Sequence, residues 1–295
     1  MTTFHAGERA IQQRAGFGDT VASVGQRLIR DALPAQHQAF FAQQAFVLVG
    51  VLDADGHPRA GVLAGAPGFI AAPDARHLDV RGGVVVGEGV AGRLVASAPF
   101  GMLGIEAYTR RRNRVNGVVV EAGAGALRLG VAQSFGNCPK YIHPRRAEWT
   151  PWAGDARVSD GWDGVAQRIV AAADTFFIAS AHPDASHTTV ATHGVDLSHR
   201  GGAAGFVAVQ GRTLRVPDYP GNRFFNTLGN LELNPRAGLL FIDHATRTLL
   251  QLAVQARIEW LPPADDAPGR PGRVLHFDVL HAQRSDGALP LTWID

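Results

Sequence analysis

The stretch DLSHRGGAAGFVAVQGRTLRVPDYPGNRFFNTLGNLELNPRAGLLF, residues 196–241, holds the residues on which fold and ligand class turn. Two β segments, 205–209 and 213–216, are rich in Val, Leu and Thr and bounded by Gly and Pro. An Asn- and Gly-rich turn follows, then an apolar strand at 237–243. Ser198, Arg200, Asn222, Asn226 and Thr227 fall at or near the strand ends. A phosphate dianion needs several converging donors, at least one of them charged. Arg offers a bidentate fork, and Ser, Thr, Asn and Gly-flanked amides supply the rest. Gly201, Gly202 and Gly221 would let backbone approach such a ligand. The same residues also suit ordinary turns and Asx motifs of an all-β protein.

Working outward, the first half of the chain carries a fainter copy. Residues 46–50 answer 177–181, each a strand following a helix. GAPGFIAAPDARHLDV at Gly65 answers GGAAGFVAVQGRTLRV at Gly201, with Gly68-Phe69 and Gly205-Phe206 in register. GMLGIE at Gly101 answers GLLFID at Gly238. Three echoes in one order argue for duplication. They predict two antiparallel β barrels sharing a pseudo-two-fold axis, so that one chain carries an interface of the kind a homodimer makes. Ser198-His199-Arg200 and PDYPGN have no counterpart in the first copy, which predicts one intact site per chain.

Composition sets the outer bounds. The 295 residues suffice for two modest domains, and 46% are apolar. No run approaches the roughly 18 apolar residues of a membrane span. MTTFHAGERAIQQRAG is too polar for a signal peptide. Cys138, the single cysteine, leaves no internal disulfide or multi-cysteine metal site. A soluble, cytoplasmic setting is expected. Net charge is only +2, and Lys140 is the sole lysine. The Arg bias suits phosphate ligands, and a GC-rich genome produces it too. Nucleic-acid binding would need a sustained basic stripe. The best candidate is 110–114 (RRRNR), a short run that also suits a solvated edge or an ion-pairing patch.

Along the chain, helices are expected at 8–14, 19–33 and 34–44. From Phe46 the pattern turns to β: FVLVGVLD and RAGVLAG flank Asp55-Gly56, and further strands fall at 68–71, 77–80, 102–106, 115–121 and 127–131. HPRRAEWTPWAGDARVSD at 143–160 has neither period and reads as a linker. Trp162, Val165 and Ile169 mark one face of a helix, TFFIASA resumes the β pattern at Thr175, and strands follow at 238–243, 249–260 and 273–280. The last two are separated by the turn-rich PPADDAPGRPG. The expected division is a helical segment at 1–45, a first barrel at 46–142, a linker at 143–161 and a second barrel at 162–295.

Other constellations weigh less. In GNCPKYI, Cys138 has no neighbouring base, and Lys140 and Tyr141 are the better candidates. Gly87–Gly92 satisfies GxGxxG, yet only about ten residues, with Pro99 and Gly101 among them, precede the next strand. That is too few for the crossover helix of a dinucleotide site. His182, His187, His193 and His199 match no compact zinc pattern and suit a structural or solvent-exposed role. Trp152, Trp162 and Trp293 suit packing or the wall of a ligand pocket.

ADTFFIAS, DLSHRGGAAGF, PDYPGN, LGNLELNPRAGLLFID, QSFGNCPKYI and FHAGERAIQQRAG together resemble the pyridoxamine 5′-phosphate oxidase-related, FMN-binding split-barrel family, within it a flavin-nucleotide-binding-like subgroup. The resemblance implies a mainly β chain with flanking helices, two tandem split β-barrels of Greek-key type, and FMN at their interface. By position it implies Ser198, Arg200, Asn222, Arg223, Asn226 and Thr227 as phosphate ligands. It covers the motif of Lys140 and Tyr141 without assigning its chemistry, and Lys140 suits the flavin phosphate or the pyrimidine edge of the ring. The oxidases have a basic residue near Thr227 that this chain lacks, and their C-terminal substrate residues are not recognisable here. The implied activity is flavin-dependent oxidoreduction of a small molecule, with reduced nicotinamide as a possible donor. A flavin-nucleotide carrier or sensor, or an FAD, deazaflavin or haem protein on the same fold, stands beside it. Whether the two-barrel chain forms a homodimer stays open.

Overall fold

A computed structural model describes residues 3–123, 125–151, 156–262 and 272–294. Helices α1 (Ala6–Arg14), α2 (Gly18–Leu28) and α3 (Ala35–Ala42) come first. The strands β1 (Phe46–Leu52), β2 (Pro58–Ala64), β3 (Ile70–Asp74), β4 (His77–Arg81) and β5 (Val84–Val86) follow, then β6 (Pro99–Glu106), β7 (Arg111–Gly123) and β8 (Ala126–Gly136). Two short strands, β9 (Arg146–Trp149) and β10 (Arg157–Asp160), and α4 (Gly164–Ala172) lead into the second half. There β11 (Thr175–Ala181), β12 (Val195–Gly201), β13 (Ala208–Gln210) and β14 (Thr213–Pro217) precede α5 (Asn226–Leu233). The chain closes with β15 (Arg236–Asp243), β16 (Thr248–Trp260), β17 (Arg273–Asp286) and β18 (Leu291–Ile294). The protein is mainly β with flanking helices, and no described helix is long and apolar enough to cross a membrane.

Both large sheets are antiparallel. The first runs β3-β4-β8-β7-β6-β1-β2-β5 and the second β12-β11-β15-β16-β17-β14-β13. With β5 set aside and the second order read from β13 back to β12, the two orders are the same. The echoed segments lie on β1 and β11, on β3–β4 and β13–β14, and on β6 and β15. Pairing sets Gly50 opposite Gly101 and Ala179 opposite Gly238. In space Phe46 therefore corresponds to Thr175, two residues from the register the sequence suggests.

Each sheet wraps its own core. Val47, Val49, Phe100, Met102 and Val115 are buried in the first, and Phe176, Leu239, Phe241, Leu252 and Phe277 in the second. Each buried Phe contributes about 1.5–3 kcal/mol. A third cluster, including Leu48, Leu103, Phe177, Leu197 and Leu240, lies between the sheets. Two glycines set that approach: a Cβ on Gly101 would overlap the Val195 carbonyl, and one on Gly238 the Pro58 carbonyl.

Several expectations are corrected. The Asn- and Gly-rich turn contains α5, held by α1, whose Gly7 meets the carbonyl of Gly229. The second helix stops at Leu28, because Ile29 is extended and Arg30 bridges Ser134 of β8. Residues 195–201 form a full strand, paired with β11. The aperiodic 143–160 segment holds β9, paired with β18, and β10, paired with β17. Pairing partners, rather than local pattern, make those strands. Gly87–Gly92 leads only into a short 3₁₀ turn, Ala91–Arg93. Trp152 and residues 263–271 lie outside the described residues.

Candidate functional site

The sequence-predicted residues converge, and they bring unexpected company. Ser198, Arg200, Asn222, Arg223, Asn226 and Thr227 all line one cleft of about 280 Å³ between the two sheets. β12 supplies Ser198 and Arg200, and α5 supplies Asn226 and Thr227. The turn before α5 is held by left-handed Arg223 (φ 65°) and Phe225 (φ 59°), conformations that only a fixed surrounding sustains. No side chain caps the first turn of α5, so its amides stay available to a negative group.

From the other sheet, β7 contributes Arg112 and Arg114 to the same cleft. These belong to RRRNR, which as a sequence suits a solvated edge or ion-pairing patch. In a strand alternate residues share a face. Here Arg112 and Arg114 turn inward, while Arg110 and Arg111 are exposed. Period-two spacing was the signal that could have found them, but which face is covered is not written in the run itself.

The arginines differ in how their charge is met. Arg114 is buried and ion-paired with Asp196 at 2.9 Å, and Asp196 also accepts from Asn116 (2.7 Å) and Asn230 (2.9 Å). Arg114 also donates to Asn226 Oδ1 at 3.2 Å and to Ser198 Oγ. Thr227 donates to Ser198 Oγ at 2.8 Å, so the Ser198 proton remains to be donated. Arg200 pairs with Asp218 at 2.6 Å, and Arg273 takes the other oxygen at 2.9 Å. Arg200 therefore meets a ligand with its charge already shared, which lowers its weight relative to the sequence expectation.

Among the described residues, Arg112 faces no carboxylate. Its Nη1 donates to His199 Nδ1 at 2.8 Å, and its Nε is buried with no partner. Arg can only donate, so His199 accepts at Nδ1. Burial first, then the Arg112 charge, holds His199 well below its ordinary value, so it is neutral. Burial pulls Arg112 down to about 10, which still leaves it charged at neutral pH. Among the described residues, five arginines thus line the cleft with one carboxylate, Asp218, while Asp196 behind it meets Arg114. A half-buried cation without a counter-charge is disfavoured by its partial loss of water, and an anion in the cleft would offset that.

The remaining predicted residues sit at the side. Lys140 and Tyr141 line a small adjoining pocket of about 60 Å³, and the Tyr141 ring stacks on Tyr219 at 5.2 Å. Asn222 donates to Asn137 Oδ1 at 3.3 Å, which ties GNCPKYI to the cleft wall. Arg223 leans over Phe17 at 4.0 Å. Asn137, Asp218 and Arg273 were not singled out in the sequence. Asp218 and Arg273 belong to the site because tertiary pairing brings them to Arg200.

His199 also lines a larger cleft of about 420 Å³, again between the sheets. Phe46, Tyr108, Trp149, Phe177 and Trp293 give it aromatic walls, and His244 is held near 4 by burial. Of the tryptophans considered in the sequence, Trp293 lines this cleft. Trp162 instead packs on the second core and donates to Gly211 O at 2.7 Å.

No family model matches the chain, and no curated protein matches it. Solved structures to which it is similar include an FAD-binding protein from Mesorhizobium loti, at 14% identity and TM-score 0.30, matching 45% of this chain and 98% of that one. A protein related to general stress protein 26, of the pyridoxine phosphate oxidase family, from Clostridium acetobutylicum matches at 11% identity and TM-score 0.29, over 44% and 92% of the two chains. HupZ from Group A Streptococcus matches at 11% identity and TM-score 0.31, over 41% and 92%. The solved structures thus include the family that the sequence motifs resemble.

Proposed function

We propose that the chain is a tandem pair of split β-barrels that binds FMN and acts as a flavin-dependent oxidoreductase on a small molecule. The observation that carries the reading is Arg112, a half-buried cation whose Nε is buried without a partner and which meets no carboxylate among the described residues, in a cleft that four further arginines line. The phosphate end belongs in the 280 Å³ cleft, against Arg112, Arg200, Ser198, Thr227 and the first turn of α5. Arg114 acts from behind, by fixing the Ser198 hydroxyl and Asn226. The ring belongs toward the aromatic cleft that shares His199. Tyr219 walls the phosphate cleft and stacks on Tyr141 of the adjoining pocket, where Lys140 adds positive charge. When bound, the flavin supplies hydride transfer at its N5, and the protein supplies orientation and electrostatics.

The tandem reading rests on the shared strand order and on the matched approaches of Gly101 to β12 and Gly238 to β2. In it, 46–142 and 162–295 are the two barrels. The 143–161 segment joins them while lending β9 and β10 to the C-terminal strands.

Titration of the protein with FMN and with riboflavin, followed by flavin fluorescence and absorbance, tests the binding. FMN should bind with quenched fluorescence, and Arg112→Ala should weaken FMN about 10- to 100-fold, the range for a charge-assisted contact, while changing riboflavin far less. Equal losses for both ligands would remove Arg112 from the phosphate site. Mixing the FMN-loaded protein with NADH and NADPH tests the reaction. If neither bleaches the flavin, nicotinamide-driven oxidoreduction is excluded and the chain is a carrier of the nucleotide.

A further inference from the structure

The connection between β11 and β12, residues 182–194, gathers ligand-bearing side chains that the arginine cleft does not use. The loop closes where the His182 amide donates to the Gly194 carbonyl at 3.2 Å. That closure brings His182 and His193 face to face, with ring centroids 3.7 Å apart and planes inclined by 13°. Asp184 turns back between them. Its amide donates to His182 Nδ1 at 3.1 Å, while its Oδ2 stands 3.7 Å from His182 Nδ1 and 3.8 Å from His193 Nδ1. One donor atom from each of the three residues lies within 4.8 Å of the others.

These distances have a specific meaning. A carboxylate oxygen about equally far from two imidazole nitrogens is too distant to hydrogen-bond either. Around a zinc-sized ion with bonds of about 2.0–2.2 Å, tetrahedral donors stand about 3.3 Å apart, so side-chain rotation, with His182 Nδ1 exchanging the Asp184 amide for the ion, would close the gap. The inner side is walled by the buried His5 ring, edge-on to His182 at 5.1 Å, and by Ala181, Ala185 and Val195. The outer side opens to solvent at Asp184, leaving room for water to complete the coordination.

We propose that His182, Asp184 and His193 form a binding site for a divalent transition metal of the zinc class. Two imidazoles and one carboxylate favour such borderline ions over magnesium or calcium. The spacing along the chain, ten residues between the histidines with Asp184 near one of them, matches no compact zinc motif. The hairpin closure, not the local sequence, brings the ligands together. None of the three residues lines the arginine cleft, so the site stands independently of the flavin reading. A bound ion would clamp both ends of the loop against His5.

The test uses the untagged full chain after chelator treatment, titrated with ZnCl₂ by calorimetry, with Co²⁺ absorbance reporting coordination. One zinc per chain should bind. His193→Ala, at a half-exposed position that should not disturb folding, should lower the affinity at least about tenfold, with Asp184→Asn weakening it too. His187→Ala, in the same loop but outside the cluster, should leave affinity unchanged. The melting temperature of the wild type, but not of His193→Ala, should rise in excess zinc. Zinc binding of equal strength in the wild type and His193→Ala, or no binding by either, would overturn the proposal.

Discussion

Arg112 and Arg200 lie in the same cleft, yet they answer different questions about a ligand. Arg200 is partly satisfied by Asp218, whereas Arg112 has only a neutral imidazole before it. Arg112→Ala should therefore cost more FMN affinity than Arg200→Ala; the reverse order would mean that the Arg200–Asp218 pair opens on binding. Behind the cleft, Glu8 accepts from Asn226 and from the His5 amide. Burial, with Asp196 adding to it, raises its carboxyl from 4.5 to about 8. The folded state thus holds that proton more tightly, so the stability Glu8 contributes is full below about pH 4.5 and is lost as pH rises through 8. His5, lowered by burial from 6.5 to about 4, does the opposite, and its contribution is complete above 6.5. From pH 6.5 to 8 the Glu8 slope is the one of the two that remains. Urea unfolding should show the wild type losing on the order of 1 kcal/mol per pH unit there, with Glu8→Gln flatter. Parallel slopes for the two proteins would contradict the raised carboxyl.

At the scale of elements, α5 depends on α1. Eight residues are too few for a helix to stand alone in water, and α5 carries no side-chain N-cap. Glycine at the crossing permits the contact: a Cβ on Gly229 would overlap the backbone and side chain of Glu8. Gln12 adds a hydrogen bond to the Phe224 carbonyl at 3.0 Å. Gly229→Ala should push the helices apart at a cost of about 1–3 kcal/mol, seen as a melting temperature lower by several degrees. FMN binding should weaken with it, because Asn226 and Thr227 ride on α5. An unchanged melting temperature would show that the crossing is looser than these contacts require.

For the whole molecule, the matched strand orders make the differences between halves informative. Arg114 pairs with Leu103 of β6, and Gln251 pairs with Leu240 of β15, each two residues beyond the glycine that meets the opposite sheet. Gln251 reaches the Ala60 carbonyl at 2.8 Å and accepts from the Glu88 amide at 2.7 Å, so the GxGxxG loop packs against it. Opposite Val49 and Val47 of β1 stand Gly61 and Leu63, where β12 has Ser198 and Arg200. Strand β5 covers the outer edge of β2, whereas β12 ends its sheet. One FMN per chain is therefore expected from equilibrium titration or from flavin content by absorbance, and two per chain would refute the asymmetry.

Local pattern was enough for much of this protein. Alternating and β-branched runs set β11 at Thr175–Ala181, the Gly-Phe pairs marked the entries to β3 and β13, and the polar residues of 198–227 marked the wall of one cleft. These readings depend on side-chain period and turn chemistry, which the chain carries within a few residues. Tertiary structure decided the rest. The inward face of β7, the two arginines sharing Asp218, the helix at α5, the strands β9 and β10, and the pairing of His182 with His193 all need a partner distant along the chain. Burial and charge compensation are properties of what a residue meets after folding, and only the closed fold places Arg112 opposite a histidine instead of a carboxylate.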